Sequence, residues 1–255
     1  MSSLPWIPSP PLPTIPVEHP SALIMVLGCR ERRSLVMGIY TQPIKKGGTR
    51  GAMFCVGQRT LVGVIAPFTC IERMKVHLGN LERQRSQKRQ VFEAQVVFDE
   101  AALIVQEFKK RHNSQQRGDD DACRLDIQFV VASMDIDYIY LRAMDECGEE
   151  WNGACRLDKT DGGMPFFYQA RPPGPTRVYA AVVGFGSMSL KFTLAKYMSE
   201  HPRMNEEEAK RLMEKCMCMT YPQKGAYDRA IFALVQQWRI SFARADLKRE
   251  WFNCL

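Results

Sequence analysis

Several groups of side chains in this sequence lie close enough together to suggest chemistry, and in each the rest of the required pattern is missing. Asp119, Asp120 and Asp121 offer three adjacent carboxylates, as a divalent cation would need, but no glycine-shaped ligand loop surrounds them and no metal is expected. Nine cysteines (Cys29, Cys55, Cys70, Cys123, Cys147, Cys155, Cys216, Cys218, Cys254) form no CxxC pair for zinc and are too dispersed for a disulfide scaffold, so they read as reduced thiols. Gly184-Phe185-Gly186 has the look of a phosphate loop without the GxGxxG spacing, which leaves no nucleotide or other cofactor to expect. Arg83, Arg85, Lys88 and Arg89 could touch RNA, yet no aromatic residue interleaves them to stack bases, and a solvated helix end is the plainer reading. Seven prolines between Pro5 and Pro20 could form a PxxP ligand, or simply an extended arm.

The elements that must position these residues belong to a chain of 255 residues, 45% of them apolar, enough for one large core. A net charge of +7 would suit an acidic partner, but 28 acidic residues are spread among the 35 basic ones, and neither nucleic acid nor a membrane surface is singled out. Residues 1–20 lack a basic n-region and an unbroken apolar stretch, and no later segment offers ~18 consecutive apolar residues, so neither a signal peptide nor a membrane span is expected. The expected setting is cytoplasmic and nuclear.

Apolar runs at 22–29 and 35–40, split by Arg30, Glu31, Arg32, Arg33 and Ser34, predict a hairpin. A second strand pair, 53–56 and 60–65, flanks the turn Gly57-Gln58-Arg59. From Pro67 the apolar period lengthens to that of a helix carrying Ile71, Met74, Leu78 and Leu81 on one face. Residues 99–112 predict a second helix, with Asp99 and Glu100 at its start and Lys109, Lys110 and Arg111 at its end, as the macrodipole favours. Strands are predicted at 127–132, 138–144 and 178–183. Two helices follow, at 187–200 and from Asn205, the second opened by a capping box with Glu208. Runs at 231–235 and 238–242 close the sheets. Strands, two helices, strands, two helices and strands suit two sheets packed face to face with a helix pair on each outer face.

The ordered set from Gly184-Phe185-Gly186 through His201-Pro202 and residues 206–211 to Cys216-Met217 resembles the glycine turn, helix, proline break and second helix of proteasome β-type subunits. The resemblance continues through Tyr227-Asp228-Arg229. It is looser upstream, at Val26-Leu27-Gly28, 35–40, Thr60-Leu61-Val62-Gly63, 71–81 and 130–134, and it covers about 22–242. Among β types the chain looks most like the non-catalytic seventh kind, for the Tyr227-Asp228-Arg229 approach and the extension past the last strand; the fourth kind is second.

The resemblance implies an α+β fold, the four-layer αββα sandwich of the N-terminal-nucleophile hydrolases. It also implies a division into an N-terminal arm (1–20), the sandwich (21–243) and a C-terminal extension (244–255). Residues 148–177 are then an insert, either packed on a neighbour or forming a surface excursion, where the family pattern has a short connection. Active relatives look like hydrolases whose freed N-terminal threonine is the nucleophile, helped by a lysine and an orienting aspartate. Aligned through Leu27-Gly28, the nucleophile falls at Ile24 or its neighbours Leu23 and Met25, and the aspartate at Tyr40. The lysine falls around 50–52, and the supporting aspartate and serine at Gln223 and Ala226. No catalytic residue is therefore expected, and the implied role is a structural subunit that assembles with other α- and β-type subunits. Trp251, Phe252 and Leu255, with Lys248 and Arg249, are the candidate subunit contacts. Met213, Cys216, Met217, Cys218 and Met219 cannot all face one helix's own core, so some are expected to meet a neighbour. The alternatives are an active peptidase freed at Thr49, after Gly48, and a basic RNA-binding protein.

Overall fold

The structure is a computed structural model that describes residues 22–29, 34–41, 50–88, 93–115, 126–134, 138–144, 150–156, 167–169, 177–178, 180–184, 187, 190, 193–194, 197, 201, 204–220, 229–236 and 239–246. Strands β1 (Ala22–Cys29) and β2 (Ser34–Thr41) pair antiparallel from Ala22↔Thr41 to Cys29↔Ser34. Every residue of β1 is buried, because it has neighbours on both edges and packed side chains on both faces. Its sequence is accordingly a continuous apolar run without alternation. Strands β3 (Arg50–Val56) and β4 (Thr60–Ala66) form the second hairpin, turning at Gly57, whose φ of 67° is a conformation that favours glycine.

Helix α1 (Phe68–Gln87) begins after Pro67, whose carbonyl accepts the first helical N–H groups, and buries Cys70, Ile71, Met74 and Leu78. Helix α2 (Ala94–Gln115) starts five residues before the predicted position. Asp99 and Glu100 are therefore not its first-turn acids but lateral partners, Asp99 of Gln95 and Arg142, Glu100 of His77. Strands β5 (Gln128–Met134) and β6 (Tyr138–Met144) follow. The insert does not stand apart: β7 (Glu150–Arg156), β8 (Phe167–Gln169) and β9 (Arg177–Val178) extend the sheet of β6.

Strand β10 (Ala180–Gly184) precedes helix α3, helical at Ser187, Leu190, Thr193, Leu194 and Tyr197. Helix α4 (Glu206–Thr220) carries the predicted capping box: the Glu208 amide donates to Asn205 Oδ1 and the Asn205 amide to Glu208 Oε2, both at 2.9 Å. Strands β11 (Arg229–Gln236) and β12 (Arg239–Asp246) complete the described chain. Residues 244–246, expected to lie past the last strand, belong to β12.

The fold is α+β with two antiparallel sheets, ordered β10-β1-β2-β11-β12 and β3-β4-β5-β6-β7-β8-β9. Alternating β1 residues go to different apolar clusters. Ala22, Ile24 and Val26 join Leu61, Ile65, Val130 and Ala132 of the other sheet. Leu23, Met25 and Leu27 join Leu190 and Leu194 of α3 and Met213 and Met217 of α4. A third cluster joins Val62 and Val64 of β4 and Phe129 of β5 to Met74 of α1 and Phe98 of α2.

Candidate functional site

Of the positions at which the resemblance implies chemistry, residues 23–25, 40 and 50–52 are described, and they lie toward the end of the sheets where β1 begins. Ala22 stands opposite Thr41, and Leu23 opposite Gly184 of β10. Here β3 passes so near that a Cβ on Gly51 would lie 2.9 Å from Thr41 Oγ1 and 3.0 Å from the Ala22 Cβ. Gly184 has φ of 106°, and a Cβ there would stand 2.3 Å from the Ala22 carbonyl oxygen, a contact no side chain tolerates. Buried Gln128 ties the two sheets together: its Oε1 accepts from the Gly184 amide at 2.8 Å, and its Nε2 donates to Asp126 Oδ1 at 2.8 Å.

Two residues further along β1, Ile24 is wedged between the sheets. A Cβ on Gly63 of β4 would meet Ile24 Cγ2 at 3.2 Å and Met37 Sδ at 3.0 Å, so the isoleucine fills the space that glycine leaves. Among the described residues, the apolar cluster around it is made of alanine, valine, leucine, isoleucine and methionine. Ile24 pairs with Ile39, which puts residue 40 on the other face, where Tyr40 is fully buried with Leu23 and Met25. Ile24 thus faces the side of the sheet opposite to Tyr40, whereas the neighbouring candidates Leu23 and Met25 share Tyr40's face, Leu23 directly across from it, and none of the three candidates carries a hydroxyl.

Arg50, in the lysine's expected range, lies exposed with its guanidinium 5.3 Å from the centre of the Phe68 ring; Gly51 has no side chain, and Ala52 packs toward the helices α1 and α2. Gln223, Ala226, Lys248, Arg249, Trp251, Phe252 and Leu255 lie outside the described residues, as do Thr49, Asp119, Asp120 and Asp121. Of the five sulfur residues of α4, Met219 is exposed, whereas Met213, Cys216, Met217 and Cys218 are buried within this chain. The reason is close packing: a Cβ on Gly38 of β2 would meet Met213 Sδ at 2.9 Å and Met217 Cε at 3.1 Å.

A polar group that the sequence reading missed sits at the other end of the β1–β2 hairpin. Buried Ser34 donates to Glu206 Oε1 at 2.7 Å, and Gln236 Nε2 donates to the same oxygen at 3.2 Å. Cys29 faces Ser34 across the hairpin, and burial, followed by the charge of Glu206, pushes its thiol up to about 12. Burial likewise raises Cys70 and Cys216 to about 11, so all three stay protonated near neutrality and are poor nucleophiles. A serine opening an otherwise apolar strand is the signal that could have revealed this group. Histidines 77 and 201 serve elsewhere: His77 contacts Glu100 at 2.8 Å between α1 and α2, and His201 stacks on Tyr197 at 4.2 Å. Among described residues, no set of three or more histidine, cysteine, aspartate or glutamate side chains could hold a metal ion, and no helix is long and apolar enough to cross a membrane.

No protein-family model and no curated protein matches the chain.

Proposed function

We propose that the chain takes the four-layer αββα form of the N-terminal-nucleophile hydrolases and serves as a non-catalytic β-type subunit of the proteasome core particle. The observation that carries this reading is the separation of the core into three apolar clusters, one between the sheets and one beneath each helix set. Such a core suits helix, sheet, sheet and helix layers, and it accompanies the glycine-turn and two-helix motif on which the sequence resemblance rests. Catalytic silence is supported by the lack of a hydroxyl on Leu23, Ile24 or Met25, all three buried among apolar side chains, and by a tyrosine in place of aspartate at residue 40. The role is then assembly with α- and β-type neighbours in a cytoplasmic and nuclear particle that degrades proteins.

Native mass spectrometry of the complex isolated through this chain tests the reading. The expected result is a stacked-ring particle containing this subunit with other α- and β-type chains, and a monomer or a homo-oligomer would overturn it. The active alternative, a chain freed at Thr49, would lose β1 and β2, which occupy the second and third places of the five-stranded sheet and hold β10 to β11. Determining the first residue of the mature chain separates the two, since a start at Thr49 would refute the silent subunit. The RNA-binding alternative has less support, since Arg83 is held along its own helix by Asn80 Oδ1 at 2.6 Å and the Gly79 carbonyl at 3.3 Å.

A further inference from the structure

The strongest unassigned feature is the outer margin of the five-stranded sheet. Among the described residues β12 is its last strand, so one row of β12 backbone N–H and C=O groups faces away from β11 without a strand partner. Helix α4 packs mainly on β1 and β2, which leaves a recess over β11 and β12 beside the first turn of the helix. Its floor is Val36, Phe232 and Leu234, its outer rim is Ser241, and one wall is formed by Glu206 and Glu207. The volume is about 200 Å³. Small-molecule pockets usually run ~300–1,000 Å³, so this recess suits one inserted side chain and not a metabolite.

The lining indicates which side chain. Lys210 lies 5.7 Å from the centre of the Phe232 ring, so the chain's own cation already occupies the aromatic face that a guest cation would use. Glu206 is held in orientation by Ser34 and Gln236. Glu207 is exposed, its carboxylate 3.6 Å from an equally exposed Arg211, a surface pair that holds it weakly. With the aromatic face taken by Lys210, the apolar floor and the carboxylate of Glu207 are what match an aliphatic stem with a positive tip.

We propose that β12 and this recess take an extended segment of a partner protein, which adds to the sheet edge as a strand and inserts an arginine or lysine beside Glu207. The backbone pairing would supply affinity and the recess would choose the side chain. This inference does not depend on the proteasome reading and would survive its failure.

The test is fluorescence anisotropy on the full chain with two labelled heptapeptides, one alternating valine with arginine and one alternating valine with glutamate. The arginine peptide is expected to bind about tenfold more tightly or better, although the chain's net charge of +7 opposes it. Glu207→Lys should weaken it by about fivefold or more, and Lys210→Ala, which removes the internal competitor, should strengthen it. Ser241→Trp, filling the recess, should abolish discrimination; if that variant does not fold, Glu207→Lys at its exposed position still decides. Equal binding of the two peptides, or no change in Glu207→Lys, overturns the proposal. So does a chain ending at Asp246 that binds about tenfold more tightly than the full chain, since the recess would then belong to its own C-terminal segment.

Discussion

The two helical layers hold to their sheets by different means. Between α1 and α2 the visible polar links are largely exposed, Arg73 with Glu107 and His77 with Glu100, and half-buried Arg142 of β6 reaches exposed Asp99 of α2 at 3.3 Å. Beneath them Phe98 and Phe129 pack with ring centres 5.0 Å apart, and Arg142 lies over Phe98 at 4.0 Å. Helix α4 is instead fastened by flexible sulfur side chains pressed onto Gly38 and by a part-buried hydrogen bond from Ser34 to Glu206. Exposed pairs gain little and weaken in salt, whereas buried contacts cannot be exchanged for water without cost. One layer can therefore lose its polar links cheaply, and the other cannot.

The largest expected effect is on thiol chemistry. The folded Cys216 thiol sits near 11 against an ordinary value of 9.0, so at pH 8 its thiolate fraction falls about 100-fold from the shift alone, and burial slows labelling further. Because the folded value is raised, protection should be complete below about pH 9 and be lost as the pH climbs through about 11. Mass spectrometry after brief iodoacetamide treatment should find exposed Cys55 modified well before Cys29, Cys70 or Cys216; early modification of Cys216 would show that α4 is loosely held. Next comes Met213→Ala, which opens a cavity over Gly38 and should cost about 2–5 kcal/mol in urea unfolding. A loss below ~1 kcal/mol would erase the contrast between the layers. Ser34→Ala removes one donor from Glu206 and should cost about 1–3 kcal/mol, with little relief from added salt. The smallest is Arg73→Ala, at ~0.2–1 kcal/mol in dilute buffer and close to nothing in 1 M salt. A salt-independent loss there would mean that the outer pair is stronger than its exposure implies.

Much of the chain is legible because local rules and the final environment agree. The β1–β2 hairpin reads as two apolar runs around a charged turn, and Asn205 with Glu208 reads as a helix start before any packing is known. The start of α2 is misread for a physical reason. Asp99 and Glu100 satisfy the dipole rule for a first turn, but acids one turn inside a helix serve equally well as lateral partners, and Val97 and Phe98 before them are core residues. Strands β7 to β9 escape notice because their sequence, with Gly153, Cys155 and Arg156, shows no clear alternation; backbone pairing with β6 supplies what side-chain pattern does not. At the candidate site, sequence alignment can place Ile24 and Tyr40 in the strands but cannot say which face each takes. Register decides that: one step in the pairing, set by the turn between β1 and β2, would exchange every face.

The strand order β10-β1-β2-β11-β12 has a consequence for how the protein is made. The β1–β2 hairpin is finished by residue 41, but its two sheet neighbours come from residues 180–184 and 229–236. At ~5–20 residues per second the ribosome needs roughly 7 to 28 s to reach residue 180 after residue 41. Throughout that interval both edges of the most apolar hairpin in the sheet stand open to any other extended chain. A nascent chain of this kind has a strong need for a holding chaperone, and its solubility during synthesis should depend more on the speed of translation between 41 and 180 than on the stability of the finished fold.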